Sequence, residues 1–210
     1  MDTKLINSLA KMMLKKDKRS IIKNTLKDFL IENGDQISFN WHPLGFLHSK
    51  LGHAAEVGDI RLHVWLPNNR KTQEPPMPIH DHVFNINSFI LLGKVTNHIY
   101  DLTSSLGDKR QLYRVEYNNE GSLLKPLDTV IRCKLKSSQL YNKGEFYEVN
   151  KDKFHQTFVE IEDFTVTLVL TTDKDPVKEP NILGPLGQEE YFYKREKCEF
   201  PVIELFLDLL

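Results

Sequence analysis

Cysteine is scarce in this chain. Only Cys133 and Cys198 occur in 210 residues, far apart and outside any paired motif, so no disulfide framework is implied and both read as reduced, partly buried thiols. Charge of one sign is also missing. Twenty-eight basic and 29 acidic side chains leave a formal net charge of −1, which gives no long-range field to draw in a nucleic acid. No apolar run nears the roughly 18–20 residues of a membrane span. The start, MDTKLINSLAKMMLKKDKRS, has no apolar stretch ahead of a small-residue cleavage site, so no secretory signal is read there. Walker-type and dinucleotide glycine patterns are absent, and no serine stands in a Gly-x-Ser-x-Gly setting. These absences favour a cytoplasmic protein with neither a nucleic-acid nor a membrane partner.

What is present falls into three parts, residues 1–36, 37–200 and 201–210. In the first, Leu5, Ile6, Leu9, Met12 and Met13 recur at helical steps, which draws one apolar stripe on a helix. Ser20 is the expected N-cap of a second helix carrying Ile21, Ile22, Leu26, Phe29 and Leu30, and Asn33-Gly34 its left-handed stop. The last part, Pro201–Leu210, is apolar enough for a helix docked on the body.

The middle part reads as strands. Ile60, Leu62, Val64 and Leu66 alternate with Arg61, His63 and Trp65, the period-two pattern of a strand with two unlike faces. After a Pro-rich joint at Glu74–Pro78 come Ile79–Phe84, Ser88–Tyr100, Gln111–Tyr117, Thr129–Lys134, Gly144–Val149, Thr157–Ile161 and Phe164–Thr171. Most are β-branched or aromatic and bounded by turn residues, so the expected fold is an all-β core, a sandwich or barrel, with helical additions.

Histidine is where chemistry can sit. His80 and His82 stand two apart in PIHDH. On a strand they leave the same face, about 6.6–7 Å apart at Cα, close enough to share one ion about 2.1 Å from each nitrogen. By the same geometry Asp81 points the other way. His42, His48 and His53 have no ligand spacing and read as loop and edge-strand residues, and His98 as an exposed strand residue or a proton carrier.

From Ile60 to Thr172 the chain resembles the cupin superfamily. The first cupin motif corresponds to His80-Asp81-His82, VFNINSFILL and Gly93. The second corresponds to Gly144, Asn150, Asp152 and His155, with Asn and Asp where the family has Pro and Gly. The resemblance implies a double-stranded β-helix, or jelly-roll, barrel with a metal held by His80, His82 and His155. Where many cupins carry a ligand Glu, this chain has Asn87, which implies a three-histidine centre with open positions. The local likeness of IHDHVFNINSFILLGKV is to thiol dioxygenases of the cysteine dioxygenase type, which hold Fe(II) on three histidines. Their Ser-x-His-x-Tyr signature is replaced by Thr167, Val169 and Thr171, so the residues that would steer cysteine are not carried over.

The expected function is a non-haem Fe(II) dioxygenase for a small anionic chelating substrate, a thiol or an enolate, with O2 as co-substrate. Imidazole also suits Zn, Ni or Cu, and a redox-inert cupin with Zn, Ni or Mn, acting as isomerase or lyase, is the alternative, as is a non-catalytic small-ligand module. If their strand face lines the lumen, Arg61 is the expected carboxylate clamp and His63 assists the metal-bound species; if the apolar face does, both are solvated. Tyr100 and Thr171 are the expected pocket wall. The resemblance also implies a homodimer.

Overall fold

The computed structural model describes residues 3–16 and 18–210. The apolar stripe forms α1 (Thr3–Lys15), which buries Ile6, Leu9, Ala10 and Met13. Helix α2 (Arg19–Asn33) buries Ile22, Leu26, Phe29 and Leu30, while Ile21 stays exposed. Both expected ends of α2 are corrected. Lys18, left-handed at φ 55°, precedes the helix without a side-chain cap, and its carbonyl accepts from the N–H groups of Ile21 and Ile22. Ser20 therefore lies inside the first turn. Gly34 is right-handed and continues into a 3-10 turn, Gly34–Gln36, while the Asn33 amide donates to the Phe29 carbonyl at 2.9 Å.

The strands follow in chain order as β1 (Asn40–Trp41), β2 (Leu44–Gly45), β3 (Leu47–Ala54), β4 (Gly58–Trp65), β5 (Lys71–Thr72) and β6 (Ile79–His80). Next come β7 (Asn85–Leu92), β8 (Lys94–Thr103), β9 (Asp108–Tyr117), β10 (Gly121–Asn142) and β11 (Phe146–Val149). Strands β12 (Phe154–Phe158), β13 (Thr165–Thr172), β14 (Asn181–Gly184), β15 (Tyr191–Lys194) and β16 (Glu196–Lys197) complete them. The expected continuous strand Ser88–Tyr100 is two strands, parted at Gly93. Its φ of 71° suits glycine, and a Cβ there would lie 2.4 Å from the Phe164 carbonyl oxygen.

Two antiparallel sheets face each other, one ordered β11-β7-β13-β4-β3-β1-β16 and the other β15-β10-β8-β12-β6-β14-β9. This is an all-β core with helical additions, in the two-sheet layout that the cupin resemblance implies. The helices cover the outer face of the first sheet, where Ile60, Leu62, Val64, Phe89, Leu91, Leu168 and Leu170 join the helical residues in one core. Strands alternate their faces. Arg61, His63 and Trp65 therefore turn towards the second sheet, which decides the face that the sequence leaves open. Between the sheets lie Ile86, Ile90, Val95, Tyr147, Val149 and Val169.

The second sheet has a feature the sequence does not announce. Strand β10 is 22 residues long, not the six of Thr129–Lys134, and pairs in turn with β15, β9 and β8. Its pairing with both β8 and β9 closes a ring, β10-β8-β12-β6-β14-β9. Inside that ring sits a separate small core of Ile79, Tyr100, Leu112, Ile131, Cys133, Phe154 and Leu183, with at least one side chain from each strand.

The C-terminal segment docks as expected but is not an α-helix. It forms two 3-10 turns, Ile203–Leu205 and Leu207–Leu209, because Phe206 leaves helical geometry at φ −136° and buries its ring in the helix-side core with Val202. Cys133 and Cys198 are buried and unpaired.

Candidate metal centre

His155 stands opposite His80 in the pairing of β12 with β6, so both rings leave the second sheet on one face. Strand β6 ends at His80, yet His82 still turns back to the same point. Its ring centroid lies 4.7 Å from that of His80 and 5.1 Å from that of His155. One nitrogen from each ring falls within 4.8 Å of the others.

Local hydrogen bonds fix this convergence. The buried Asp81 turns away from the centre, as its place between the ligands requires, and accepts from the backbone and side-chain N–H groups of Asn181 at 2.6 and 2.9 Å. That clamp ties β6 to the start of β14. On the other side, Asp152 donates its N–H to the His82 carbonyl at 3.0 Å. Asp152 has φ 62°, left-handed geometry that aspartate tolerates better than most non-glycine residues because its short side chain can hydrogen-bond locally.

The tautomers follow from the acceptors. His80 Nδ1–H donates to the Pro78 carbonyl at 2.9 Å, and His155 Nδ1–H donates to Asn97 Oδ1 at 3.0 Å. A ring that donates through Nδ1 leaves Nε2 bare as the ligand atom. His82 Nε2 and His155 Nε2 are 3.0 Å apart. That is the separation of two nitrogens about 2.1 Å from one ion at right angles, and also that of one N–H···N hydrogen bond. Burial holds all three imidazoles below their ordinary range, furthest for His82 and His155, where neighbouring imidazoles add to it. The set is neutral near pH 7, the protonation state in which imidazole binds metals. An ion therefore fits the donor set that these residues form.

The other expected residues separate. Arg61 faces the lumen, with its Nη2 3.1 Å from Asp59 Oδ2 and its buried Nε without a hydrogen-bond partner among the described residues. Asp59 also meets Lys50 at 2.8 Å and His53 at 2.9 Å. Burial pushes its carboxyl up, but those hydrogen bonds and the charges of Lys50 and Arg61 hold it below the usual range. Thr171 is buried on the same inner face and its hydroxyl donates to the Asp59 carbonyl at 3.4 Å. Tyr100 does not line this lumen. It pairs with Phe154, neighbour of His155 on the opposite face, and its hydroxyl donates to Gln156 inside the ring of the second sheet. His98, opposite Gln156, shares that face.

Asn87 is also corrected. Opposite Leu170 and Glu148, it lies on the helix-covered side, and Ile86, opposite Thr171, holds the lumen-facing place. Among the described residues, the group of converging donors is His80, His82 and His155.

Sequence reasoning missed two lumen residues, His42 and His48, while His63 shares the lumen-facing side of β4 with Arg61. His48 pairs directly with His63, and His42 stacks on Phe46 with centroids 4.3 Å apart. Burial drives His42 and His63 well below the ordinary imidazole range and brings His48 to about 4. Six of the eight histidines thus share one interior. The available signal was the alternation of His48 and His63 against Leu47 and Leu62, which lie on the helix side.

No family model and no curated protein matches the sequence. Among solved structures the chain is similar to hydroquinone 1,2-dioxygenase PnpCD in complex with Cd2+ and 4-hydroxybenzonitrile, at a TM-score of 0.34 and 14% identity. That match covers 61% of this chain and 64% of that one, less than two thirds of its length. The chain is also similar to a Tyr-to-Phe variant of Streptomyces PAC13 with uridine, at a TM-score of 0.32 and 7% identity over 76% of this chain and 86% of that one. Neither likeness carries an argument about this chain; the candidate centre rests on the three converging imidazoles.

Proposed function

We propose that this chain is a metal-dependent cupin-type enzyme, a non-haem Fe(II) dioxygenase acting on a small anionic chelating substrate of thiol or enolate type. The observation that supports it is the meeting of His80, His82 and His155 with no carboxylate among them. Three neutral donors leave the full charge of Fe(II) to attract an anion, and the ion, when bound, supplies a redox-active centre where substrate and O2 meet.

The chain's own residues do the rest. Pro78 and Asn97 hold the Nδ1 protons of His80 and His155, so the ligand atoms stay bare and aimed. Arg61 offers its unpartnered Nε–H to a substrate carboxylate while Asp59 steadies the guanidinium. Thr171 closes the wall beside Asp59, and Ile86, Ile90 and Val169 keep water from the interior.

Elemental analysis of protein purified without added metal, followed by O2 uptake with a panel of thiols and enolisable diketones, tests this reading. Iron near one per chain and O2 uptake that disappears in His155→Ala are expected. Zinc with no O2 uptake would transfer the site to the isomerase or lyase reading, and no metal at all would overturn both.

A further inference from the structure

The inner face of the first sheet carries a row of side chains that neither the three ligands nor Arg61 accounts for. Thr167 of β13 stands opposite His63 of β4, His63 opposite His48 of β3, and His48 opposite Asn40 of β1. Lys197 of β16, opposite Asn40, ends the row at the sheet edge. Directly paired residues share a face, and the chain neighbours Leu168, Leu62, Leu47 and Trp41 lie in the helix-side core. The row therefore faces the second sheet. At about 4.8 Å per strand, Thr167 to Asn40 spans about 14 Å.

Its two ends lead to different places. Thr167 stands opposite Ile90 in the core between the sheets, and Arg61 lies two residues from His63 on the same face of β4, so one end lies in the interior beside Arg61. At the other, Asn40 and Lys197 line a surface hollow of about 560 Å3 together with Phe192, Lys194 and Arg195.

Each member of the row can both donate and accept a hydrogen bond. A threonine hydroxyl and an asparagine amide do so by construction, and a neutral imidazole has one N–H and one bare nitrogen. Thr167 is fully buried and its Oγ1 has no partner. Among the described residues, no hydrogen bond engages the side-chain polar atoms of His63, His48 or Asn40. Carboxylates and phosphates only accept, and would leave half of such a row unpaired; hydroxyl groups, which donate and accept, complete it. Beside the row, Phe46 and Trp65 stack with centroids 4.7 Å apart, an apolar flank of the kind that C–H faces pack on.

We propose that this row is the binding track for the chain of an enolisable, hydroxyl-rich acid, whose acid end lies at Arg61 and the metal centre and whose hydroxyls pair with Thr167, His63, His48 and Asn40. The inference rests on the metal reading above and narrows its substrate class.

Calorimetric titration of the full chain loaded with Zn(II), using D-gluconate and hexanoate, tests it. These are six-carbon acids with and without hydroxyls. Gluconate is expected to bind at least tenfold more tightly than hexanoate. Thr167→Val and Asn40→Ala should each weaken gluconate at least fivefold with zinc stoichiometry unchanged. Equal affinity for the two acids, or gluconate affinity untouched by both substitutions, with zinc still bound, would overturn the track and leave the metal centre standing. Failure to hold zinc would overturn the metal reading instead. The same two acids titrated against the metal-free chain, where the preference for gluconate should persist, then decide the track alone. Asn40 is only partly buried, on a two-residue strand near the edge, so its variant serves if Thr167→Val does not fold.

Discussion

Asn97 is the residue on which the aim of the third ligand depends. It is buried on β8, and its Oδ1 accepts the His155 Nδ1–H at 3.0 Å. Replacing it with leucine keeps the volume and removes the acceptor of that proton, so the ring loses both its orientation and its fixed tautomer. Losing such a supporting hydrogen bond costs about 10–100-fold in metal affinity, or about 1.4–2.7 kcal/mol. Competition for Zn(II) against a chromogenic chelator reads that range directly. Asn97→Asp, which restores an acceptor, should recover affinity. Tyr100→Phe is the control. It deletes a hydrogen bond of the same 3.0 Å length to Gln156, next to His155 in the chain but on the opposite face, and should leave affinity unchanged. If Asn97→Leu binds zinc as tightly as the wild type, or Tyr100→Phe weakens it equally, the geometry given for His155 is refuted.

Acid should unfold the protein earlier than its carboxylates alone would. His48 falls from the ordinary 6.5 to about 4, so its contribution is complete above pH 6.5 and is lost as pH falls towards 4, about 3 kcal/mol in all. Urea midpoints at pH 7.5, 6 and 5 should drop in step and drop less in His48→Gln; a flat profile would contradict the burial of these rings. Gly93→Ala should cost more than about 1 kcal/mol, because it forces a side chain into left-handed backbone against the Phe164 carbonyl, and an unchanged melting temperature would refute this. Leu9→Ala, at a fully buried position between α1 and the first sheet, should cost about 2–5 kcal/mol in urea unfolding while zinc affinity holds.

Local patterns in the sequence carried much of this architecture. The two helices, the alternation of β4 and the place of His155 follow from periodicity and motif spacing, because they depend on neighbours within a few residues or on the intervals between the histidines and glycines of the two motifs. What was not legible depends on cross-strand register. Whether Arg61 faces the lumen is set by the helices that cover Ile60, Leu62 and Val64, and alternation alone gives two equivalent answers. Tyr100 was misplaced because β10 closes the second sheet into a ring, giving its second face a core of its own. No face of β10 is apolar along its whole length, so its sequence shows no period. Asn87 was misplaced by one residue, which in a strand reverses the face. The partnership of His48 with His63 required the β3–β4 register, which shifts at a bulge between Lys50 and Gly52.

X-ray absorption at the iron edge of the Fe(II)-loaded chain, beside its His155→Ala variant, asks most directly whether one ion is held by three rings. Scattering from three imidazoles with nitrogens at about 2.1 Å, reduced to two in the variant, is the expected result. An oxygen-only shell, or a spectrum indifferent to the loss of His155, would contradict it.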